Sequence, residues 1–411
     1  MVVKEGYKQT EVGIIPEDWE CKLTEAILQN NIVNIKIGPF GSQLKKEYLS
    51  EYGKYKVYGQ ENVYKNDFTI GTRFINKEKY LELRSCELQQ GDIVISMMGT
   101  IGHCSIVPEK IQAGIMDSHL IRLKINKDCV YPPYIKYCIA ESESIQKQIR
   151  NLSVGGIMAG LNSNIVKQLF FCIPPLPEQK AIATALSDID GLIDSLYKLI
   201  EKKKKIKQGA MQELLTGKRR LEGFSIEWVE KKLGDIASVT MGQSPDSRYY
   251  NTMQKGLPLV QGNADLKNRN TIIRNYSTQI TRVAQARDII MTVRAPVGYI
   301  GKATNDCCIG RGVCSIRYEN DYLYYYLIYI ESNWNKLSAG STFDSVSSND
   351  VKDLRISIPS TIEEQTAIAN ILSDMDSEIE KLQAKLDKYK AIKQGMMHEL
   401  LTGKTRLLEG A

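Results

Sequence analysis

The sequence is short of the residues from which most active sites are built. Its 411 residues include three histidines, His103, His119 and His398. The patterns HExxH and GxSxG do not occur, and no Ser-His-Asp order is recognisable. Residues 402–405 read Thr-Gly-Lys-Thr, but a phosphate-binding loop needs a glycine where His398 stands and opens a helix rather than closing one. We therefore predict that the chain has no catalytic residues.

The nine cysteines show no CxxC spacing, which argues against a zinc site and a disulfide framework. We interpret Cys307, Cys308 and Cys314 as buried strand residues, and we predict no metal site. Long apolar runs are also missing, since the longest, at residues 322–330, is mostly tyrosine. No membrane span or signal peptide is expected, and we predict a cytoplasmic protein. The net charge of +6 permits a nucleic-acid partner without requiring one.

What the chain does contain is one stretch present twice, at residues 177–221 and 363–407. Gln179 aligns with Gln365 and Lys218 with Lys404, without a gap, and more than half of the positions are identical. Each copy predicts one long helix, closed by Gly217 or by Gly403. From residue 178 to 215 such a helix would be about 57 Å long at about 1.5 Å per residue.

Both helices carry apolar residues at alternating steps of four and three, the spacing of a coiled-coil seam. The seam residues are Ile182, Leu186, Ile189, Ile193, Leu196 and Ile200 in the first copy, and Ile368, Leu372, Met375, Ile379, Leu382 and Leu386 in the second. A seam requires a partner, and one chain with two matched seams supplies it. We predict an intramolecular stalk; the alternative is that each helix packs on its own domain.

The repeat extends, more loosely, into the segments before each helix. Residues 91–96 resemble 287–292, 118–123 resemble 313–318, and 162–174 resemble 347–359. We predict an α+β fold in which two mixed α/β heads are joined by two long helices with an internal pseudo-two-fold repeat. The predicted domains are residues 1–174 and 222–359 for the heads, and 175–221 and 360–411 for the helical regions.

Runs rich in Ile, Val and Tyr predict the strands of each head. They lie at 54–58, 92–97, 118–125 and 170–173 in the first head, and at 257–260, 288–293, 313–318 and 354–358 in the second. Amphipathic helices are predicted at 133–148 and 322–337. Long polar loops at 38–51 and 242–256 are of a length that is usually functional or disordered.

Around these loops, cations, amides and aromatic residues alternate, a mixture that suits phosphates and base edges. A solvated surface is the plainer interpretation of each residue alone, but the sets lie at equivalent places in both heads. The candidates are Lys36, Ser42, Gln43, Lys45, Lys46, Tyr58, Gln60, Asn62, Lys65 and Arg73 in the first head, and Gln243, Ser244, Arg248, Tyr249, Tyr250, Gln261, Asn263, Lys267, Arg269, Asn270 and Arg274 in the second.

Three longer motifs resemble those of the DNA-specificity subunit of type I restriction–modification systems. They are the opening YKQTEVGIIPEDW at 7–19, the IPPLPEQ that leads into the first helix at 173–179, and the KQGxMxELLTGK at 207–218, which returns at 393–404 as KQGxMxELLTGK. The second copy departs at residues 360–362, where Ser-Thr-Ile replaces the prolines. The motifs fix scaffold positions, so no base-reading residue can be transferred from the family.

The resemblance implies a non-catalytic subunit with two target-recognition domains, each reading one half of an asymmetric bipartite site in double-stranded DNA. It implies two antiparallel coiled-coil helices that set the spacer between the halves. It also implies two methyltransferase subunits and a restriction subunit as partners; S-adenosylmethionine, ATP and Mg²⁺ are expected on those partners and no cofactor on this chain. A coiled-coil scaffold whose heads bind proteins is the main alternative, and a solitary nuclease or methyltransferase is a second.

Overall fold

The computed structural model describes residues 5–30, 33–98, 102–152, 161–332, 334 and 345–407. The chain forms two compact units, and each of them combines one head with part of both long helices. The first unit is Met1–Ser195 with Leu386–Ala411, and the second is Leu196–Lys385. The four-part domain division by sequence position remains a prediction, because the units group the helix segments with the heads.

The first head contains short strands and helices. The strands are β1 Tyr7–Thr10, β2 Gly13–Pro16, β3 Glu20–Leu23, β4 Ile35–Ile37, β5 Tyr55–Tyr58, β6 Phe74–Ile75, β7 Ile93–Ser96, β8 Cys104–Ile106, β9 Gly114–Met116, β10 Leu120–Leu123 and β11 Phe170–Ile173. The helices are α1 Gln60–Tyr64, α2 Lys77–Glu82, α3 Pro132–Glu141, α4 Glu143–Leu152 and α5 Ser163–Lys167, followed by the long α6 Leu176–Leu214.

The second head repeats this order with more strands. They are β12 Val229–Lys232, β13 Ser238–Met241, β14 Tyr250–Asn251, β15 Leu257–Val260, β16 Leu266–Lys267, β17 Asn270–Thr271, β18 Asn275–Ser277, β19 Val283–Ala284, β20 Ile289–Thr292, β21 Ile300–Lys302, β22 Cys307–Ile309, β23 Val313–Arg317 and β24 Arg355–Ile358. The helices are α7 Leu233–Ile236, α8 Tyr322–Tyr329, α9 Ser348–Lys352 and the long α10 Ile362–Leu400.

The two heads share one pattern of strand pairing. In the first, one sheet has the order β4-β10-β7-β8, and in the second the corresponding order β13-β23-β20-β21 continues through β17 and β16. A further sheet is built around a parallel pair, β5 with β9 in the first head and β15 with β22 in the second. Finally, β11 pairs with β3 and β24 with β12. The looser sequence repeat of the heads thus corresponds to a structural repeat.

All eight predicted strands are present, with ends that differ by at most two residues. The helix predicted at 133–148 is wrong in extent, because Ser142 takes an extended conformation and separates α3 from α4. The break lets Ile139 on α3 and Ile145 on α4 enter the same core. Within the helix predicted at 322–337, α8 ends at Tyr329, and Glu331, Ser332 and Trp334 are again helical after a turn at Ile330. Residues 333 and 335–337 of that prediction lie outside the described residues.

A proline marks the start of the first long helix, and a glycine follows the end of each long helix. The first, α6, starts at Leu176, one residue before Pro177, so this proline lies in the first turn, where its missing N–H is not needed. Gly217 and Gly403 follow the helix ends with φ of +67° and +70°, the left-handed conformation predicted for closing glycines. The predicted helices and their caps are confirmed.

In the first unit, α6 and α10 are antiparallel. Glu178 near the start of α6 binds Arg406 beyond the end of α10, with Oε1 and Nε 2.7 Å apart. Further along α6, Asp190 pairs with Lys393 of α10, with Oδ1 and Nζ 2.8 Å apart. Lys393 precedes Arg406 in the chain, so the two helices run in opposite directions. Leu400 packs in one core with Leu186 and residues of the first head.

The second unit repeats the antiparallel pairing with the helix ends exchanged. Lys203 and Lys207 on α6 bind Glu378 and Asp376 on α10, in that order. Beyond the end of α6, Arg220 binds Glu364 in the first turn of α10, at 2.7 Å. As the residue number rises along α6, the number of its partner on α10 falls. This order confirms the predicted antiparallel stalk helices.

The predicted seam is buried along its length. Eight of its residues are buried, and the other four, Ile193, Met375, Ile379 and Leu382, are half-buried. At each helix start the seam residues have a second role. Ile182 and Leu186 belong to the core of the first head, and Ile368 and Leu372 to that of the second. The two alternatives weighed from the sequence therefore coexist, since each helix packs on its own head and on the other helix.

A buried glutamate joins the two helices to the head in each unit. Glu178 is 2% exposed and accepts hydrogen bonds from the Trp19 indole at 3.0 Å and from the Arg406 guanidinium at 2.7 and 2.8 Å. Arg406 also donates to Asp18, and this contact lowers the pKa of that carboxyl below its ordinary value. We call this group the first clasp.

The second unit has the equivalent group, the second clasp. Glu364 is 1% exposed and accepts from Arg220 at 2.7 and 2.8 Å and from the Trp228 indole at 3.4 Å. In both clasps the arginine follows the Thr-Gly-Lys motif that ends one helix, while the glutamate begins the other. The repeated helix sequences therefore encode matching ends.

The cysteines behave as strand and core residues. Cys307, Cys308 and Cys314 are at most 1% exposed, which confirms their prediction as buried strand residues. Burial raises the pKa of Cys104 and of Cys314 to about 12. No helix within the described residues is long and apolar enough to cross a membrane.

Alkylation should report this burial directly. A thiol reacts as its thiolate, so at pH 8 Cys104 and Cys314 should resist iodoacetamide in the folded protein and react fully in urea. The half-buried Cys129 serves as the internal reference. The measurement is peptide mapping by mass spectrometry over time. Labelling of Cys314 as fast as that of Cys129 without denaturant would contradict the burial described.

Candidate nucleic-acid interface

Four loops meet at one end of the first head, which we call its loop end. They follow β4, β5 and β7 and connect β9 to β10. The Gly38 N–H donates to Leu120 O at 3.1 Å, Asp117 N–H to Tyr58 O at 2.8 Å, and Met97 N–H to His119 O at 2.9 Å. Main-chain hydrogen bonds therefore hold these loops together, so their side chains are presented from a fixed frame.

The second head has a loop end with the same frame. Gly242 N–H donates to Val313 O at 3.0 Å, Gly310 N–H to Val260 O at 2.8 Å, and Val293 N–H to Gly312 O at 2.9 Å. These loops follow β13, β15 and β20 and connect β22 to β23, and these strands are the counterparts of the five strands named in the first head. The two heads thus present different side chains on equivalent backbones.

Several candidates lie at these loop ends. In the first head, Gln60 donates through Nε2 to Ser96 Oγ at 2.8 Å and to Met98 O at 3.0 Å. In the second, Ser244 Oγ accepts the N–H of Arg311 at 3.1 Å, and Gln261 Nε2 donates to Tyr250 Oη at 2.7 Å. Gln243 is exposed beside them. The structure brings together amide and hydroxyl groups that lie up to 36 residues apart in the chain.

The other candidates are spread over the loops and hairpins. Lys36 is half-buried on β4, while Ser42, Gln43, Lys45, Lys46 and Lys65 are exposed on the first head. Arg248, Tyr249, Asn263, Lys267, Asn270 and Arg274 are exposed on the second. Arg248 pairs with the exposed Asp246 at 2.9 Å, and Arg274 pairs with the buried Asp265 at 3.6 Å.

Two candidates must be withdrawn as contact residues because they are fully buried. Tyr58 donates its hydroxyl to Gln112 O at 2.6 Å, and burial raises the pKa of Tyr58 to about 12. Asn62 accepts the Gly59 N–H at 2.9 Å and donates to two carbonyls, so it fixes the start of α1. Both residues support the loop end of the first head from beneath.

Arg73 and Arg269 are already engaged within their own heads. Arg73 donates to Asp117 at 2.9 Å and to Glu61 at 3.0 Å. Arg269 binds Glu331, donates to Ile300 O at 3.0 Å and lies 4.6 Å from the centre of the Tyr299 ring. A base contact by either arginine would require these internal contacts to be exchanged.

Sequence reasoning missed three residues at the loop ends. Tyr64 is 41% exposed and donates to Met98 O at 2.7 Å in the first head, where the side chain of His119 is 49% exposed. In the second head, Arg311 is exposed on the β22–β23 turn. Its signal was present, because a Gly-Arg-Gly triplet between two apolar runs marks a tight turn with one long side chain. Among the described residues, no cluster of His, Cys, Asp and Glu could hold a metal ion.

A protein-family profile matches the chain twice. The profile described as the type I restriction modification DNA specificity domain matches residues 30–208 and again residues 225–388. The two matches fall on the two copies of the repeat.

Relatives and solved structures agree along nearly the whole chain. A putative type I restriction enzyme MjaX specificity subunit of Methanocaldococcus jannaschii is 31% identical over 98% of this chain and 97% of its own length. The MjaVIII specificity subunit of the same organism is 22% identical over the same shares of the two chains.

Two solved structures share the fold. The S subunit of a type I restriction–modification system from M. genitalium has a TM-score of 0.61 at 15% identity, over 97% of this chain and 98% of its own. A chain from a study of complex assembly and conformational transition of the type I R–M system has a TM-score of 0.60 at 20% identity, over 95% and 99%.

The two profile matches and the relatives confirm both the predicted resemblance and the predicted two-headed helical architecture. The absence of recognisable catalytic motifs from the sequence agrees with the role that this family fills, in which target recognition is separated from catalysis. Its partners are DNA and the other subunits of such a system. The chain therefore belongs to the type I restriction–modification DNA specificity family, as a non-catalytic subunit that recognises DNA targets.

Proposed function

We propose that the chain reads an asymmetric, bipartite target in double-stranded DNA, one half with each head. The observation that carries the proposal is the repeated loop-end frame. Both heads hold four equivalent loops with matching main-chain hydrogen bonds, and the side chains on those loops differ. Because the loops have the same main-chain frame in both heads, both heads are suited to the same task of DNA recognition. Because the side chains on those loops differ, the two heads are suited to different half-site sequences.

The paired helices set the spacer between the two half-sites. Each helix has 39 residues and is therefore about 58 Å long at about 1.5 Å per residue. Antiparallel pairing and buried seams make such a pair stiff, and a stiff connection turns two weak contacts into one bivalent contact. Half-site spacing in a bivalent DNA-binding protein follows from its geometry.

The helices and adjoining regions also dock two methyltransferase subunits and a restriction subunit. In the second unit, Leu199 and Ile206 on α6 are 38% and 47% exposed and lie two turns apart on one helix face. Exposed apolar side chains on one face suit a protein partner. In this proposal S-adenosylmethionine, ATP and Mg²⁺ are bound by the partner subunits, and this chain holds none of them.

A matched lengthening of both helices tests the spacer. Seven residues are inserted after Ser195 in α6 and seven after Lys385 in α10, which keeps the seam in register. The insertion adds about 10 Å, so the preferred spacer should lengthen by about three base pairs while both half-sites stay the same. The measurement is selection of bound duplexes from libraries with variable spacers. The adenines that the assembled complex methylates in those duplexes are then located by sequencing.

The control keeps the length and changes exposed side chains near the same points, with Ser195→Ala and Lys388→Ala. It should select the original spacer. An unchanged spacer in the lengthened protein, with binding retained, would overturn the role of the helices. Altered half-site sequences would contradict the proposal that the helices set only the spacer and the heads alone read the half-sites.

A further inference from the structure

We infer that Arg311 reads a guanine in the half-site of the second head, and that Ser118 occupies the equivalent reading position in the first. The inference rests on the proposed function, because it assigns a base contact within a half-site. It concerns the short turns that connect β22 to β23 and β9 to β10. Neither residue is among the candidates that the sequence alone suggested.

The turn that carries Arg311 is fixed by three hydrogen bonds, two of them between main-chain groups. Gly310 N–H donates to Val260 O at 2.8 Å, and Gly312 O accepts from Val293 N–H at 2.9 Å. The N–H of Arg311 itself donates to Ser244 Oγ at 3.1 Å. Such a frame fixes the position of the Arg311 backbone and the direction in which its side chain starts.

Close packing requires the glycine after Arg311 and leaves little space at the glycine before it. A Cβ on Gly312 would lie 2.1 Å from Gln261 O, and a Cβ on Gly310 would lie 3.0 Å from the Gln261 side chain and 3.2 Å from Ser244 Oγ. The turn is therefore pressed between the loops that follow β13 and β15. Arginine is the one residue of this triplet that extends outward.

The guanidinium of Arg311 is exposed and available. It makes no ion pair with any carboxylate in the part of the chain that the structure describes, unlike Arg269, Arg274 and Arg317 in the same head. The turn that carries it packs against Gln261 and accepts, at Ile309 O, the N–H of Gln243 at 2.9 Å. An exposed cation without a carboxylate partner, on a turn next to two glutamines, has the composition of a base-reading surface rather than of an internal salt bridge.

The first head shows that this position is a point of variation within one chain. Asp117 N–H donates to Tyr58 O as Gly310 N–H does to Val260 O, and His119 O accepts from Met97 N–H as Gly312 O does from Val293 N–H. Ser118 therefore stands where Arg311 stands. An identical frame with a different central residue is the arrangement by which two heads can read different bases.

Guanine is the base that suits arginine. The guanidinium can donate two hydrogen bonds to O6 and N7 of guanine in the major groove, and no other base offers that pair of acceptors. A flexible exposed arginine would serve a phosphate equally well. The rigid turn favours the base edge, since a phosphate contact does not require the backbone to be fixed so closely.

The test replaces Arg311 with serine in the full chain assembled with its methyltransferase subunits. Serine already occupies the equivalent turn at Ser118, so the frame tolerates it. Selection from duplexes with randomised half-sites should show that Arg311→Ser loses a preference for guanine of about tenfold or more at one position of one half-site. The other half-site and the spacer should be unchanged.

The control is Arg287→Ser, which removes an exposed arginine just before β20, at the opposite end of that strand from the loop end. It should select the wild-type target. A second measurement uses 7-deazaguanine, which lacks the N7 acceptor, at the guanine that depends on Arg311. This base should weaken binding by the wild type severalfold and leave binding by Arg311→Ser unchanged.

The outcomes separate this inference from the function on which it rests. If the wild-type complex selects no specific duplex, the proposed function fails. If the wild type selects a bipartite target and Arg311→Ser selects the same target with equal preference, only the inference on Arg311 fails. Equal weakening on all sequences would make Arg311 a phosphate contact and would also overturn the inference.

Discussion

Arg406→Ala should lower the free energy of unfolding of the first unit by about 3–5 kcal/mol, the cost of leaving a buried charge without its partner. Glu178 is 2% exposed, and without Arg406 its carboxylate would keep the Trp19 indole and the Leu407 N–H as donors. Neither donor carries a charge. The measurement is urea denaturation of the variant beside the wild type.

A second substitution distinguishes lost charge pairing from lost packing. Glu178→Gln in the Arg406→Ala background removes the unpaired charge and should recover part of the stability. Arg84→Ala is the control in the same unit, because that side chain is 70% exposed and its pair with Glu87, at 3.9 Å, should contribute less than about 1 kcal/mol. Equal effects of Arg406→Ala and Arg84→Ala would show that the first clasp does not hold the unit together.

Gly38→Ala should abolish discrimination in the half-site read by the first head while sparing the other half-site. A Cβ at this position would lie 1.8 Å from Asp117 O and 3.0 Å from Met116 O. The β9–β10 turn would have to move, and the hydrogen bond from Gly38 N–H to Leu120 O would be lost. We expect a loss of about 1–3 kcal/mol in stability from this overpacking, and selection from half-site libraries measures the change in recognition.

The matched control lies three residues away in the same loop. A Cβ on Gly41 would have no atom within 4 Å, so Gly41→Ala should keep both half-sites and the wild-type stability. A Gly38→Ala protein that still selects the wild-type first half-site would show that the frame of the loop end is not needed for reading. Loss of selection in both half-sites would instead indicate global unfolding, which urea denaturation would reveal.

The sequence predicted the scaffold well because the scaffold depends on local patterns. The long helices are marked by apolar residues at steps of four and three, by the lack of proline after the first turn, and by the closing glycines Gly217 and Gly403. Each of these features involves residues only a few positions apart in the sequence. The strands were found for the same reason, since each is a short β-branched or aromatic run. The break at Ser142 was missed because the apolar spacing continues through it, and only packing against the first head shows where the chain turns.

The candidate interface was predicted less well, because exposure depends on residues that are distant in the chain. Tyr58 and Asn62 have the right chemistry for DNA and are buried beneath the loop end. Arg269 has the right charge and is held by Glu331. Arg311 was overlooked because three residues of a Gly-Arg-Gly turn carry little weight until the loops at Ser244 and Gln261 are seen to press against it.

The sequence by itself determined that this protein has two matched helices, two related heads and no catalytic motif, since periodicity, repetition and residue chemistry can be read along the chain. The tertiary structure alone decided which side chains meet at each loop end and which glutamate meets which arginine. The physical reason is that burial and ion pairing join groups far apart in sequence, such as Glu178 and Arg406, whose proximity exists only after the helices have paired in opposite directions.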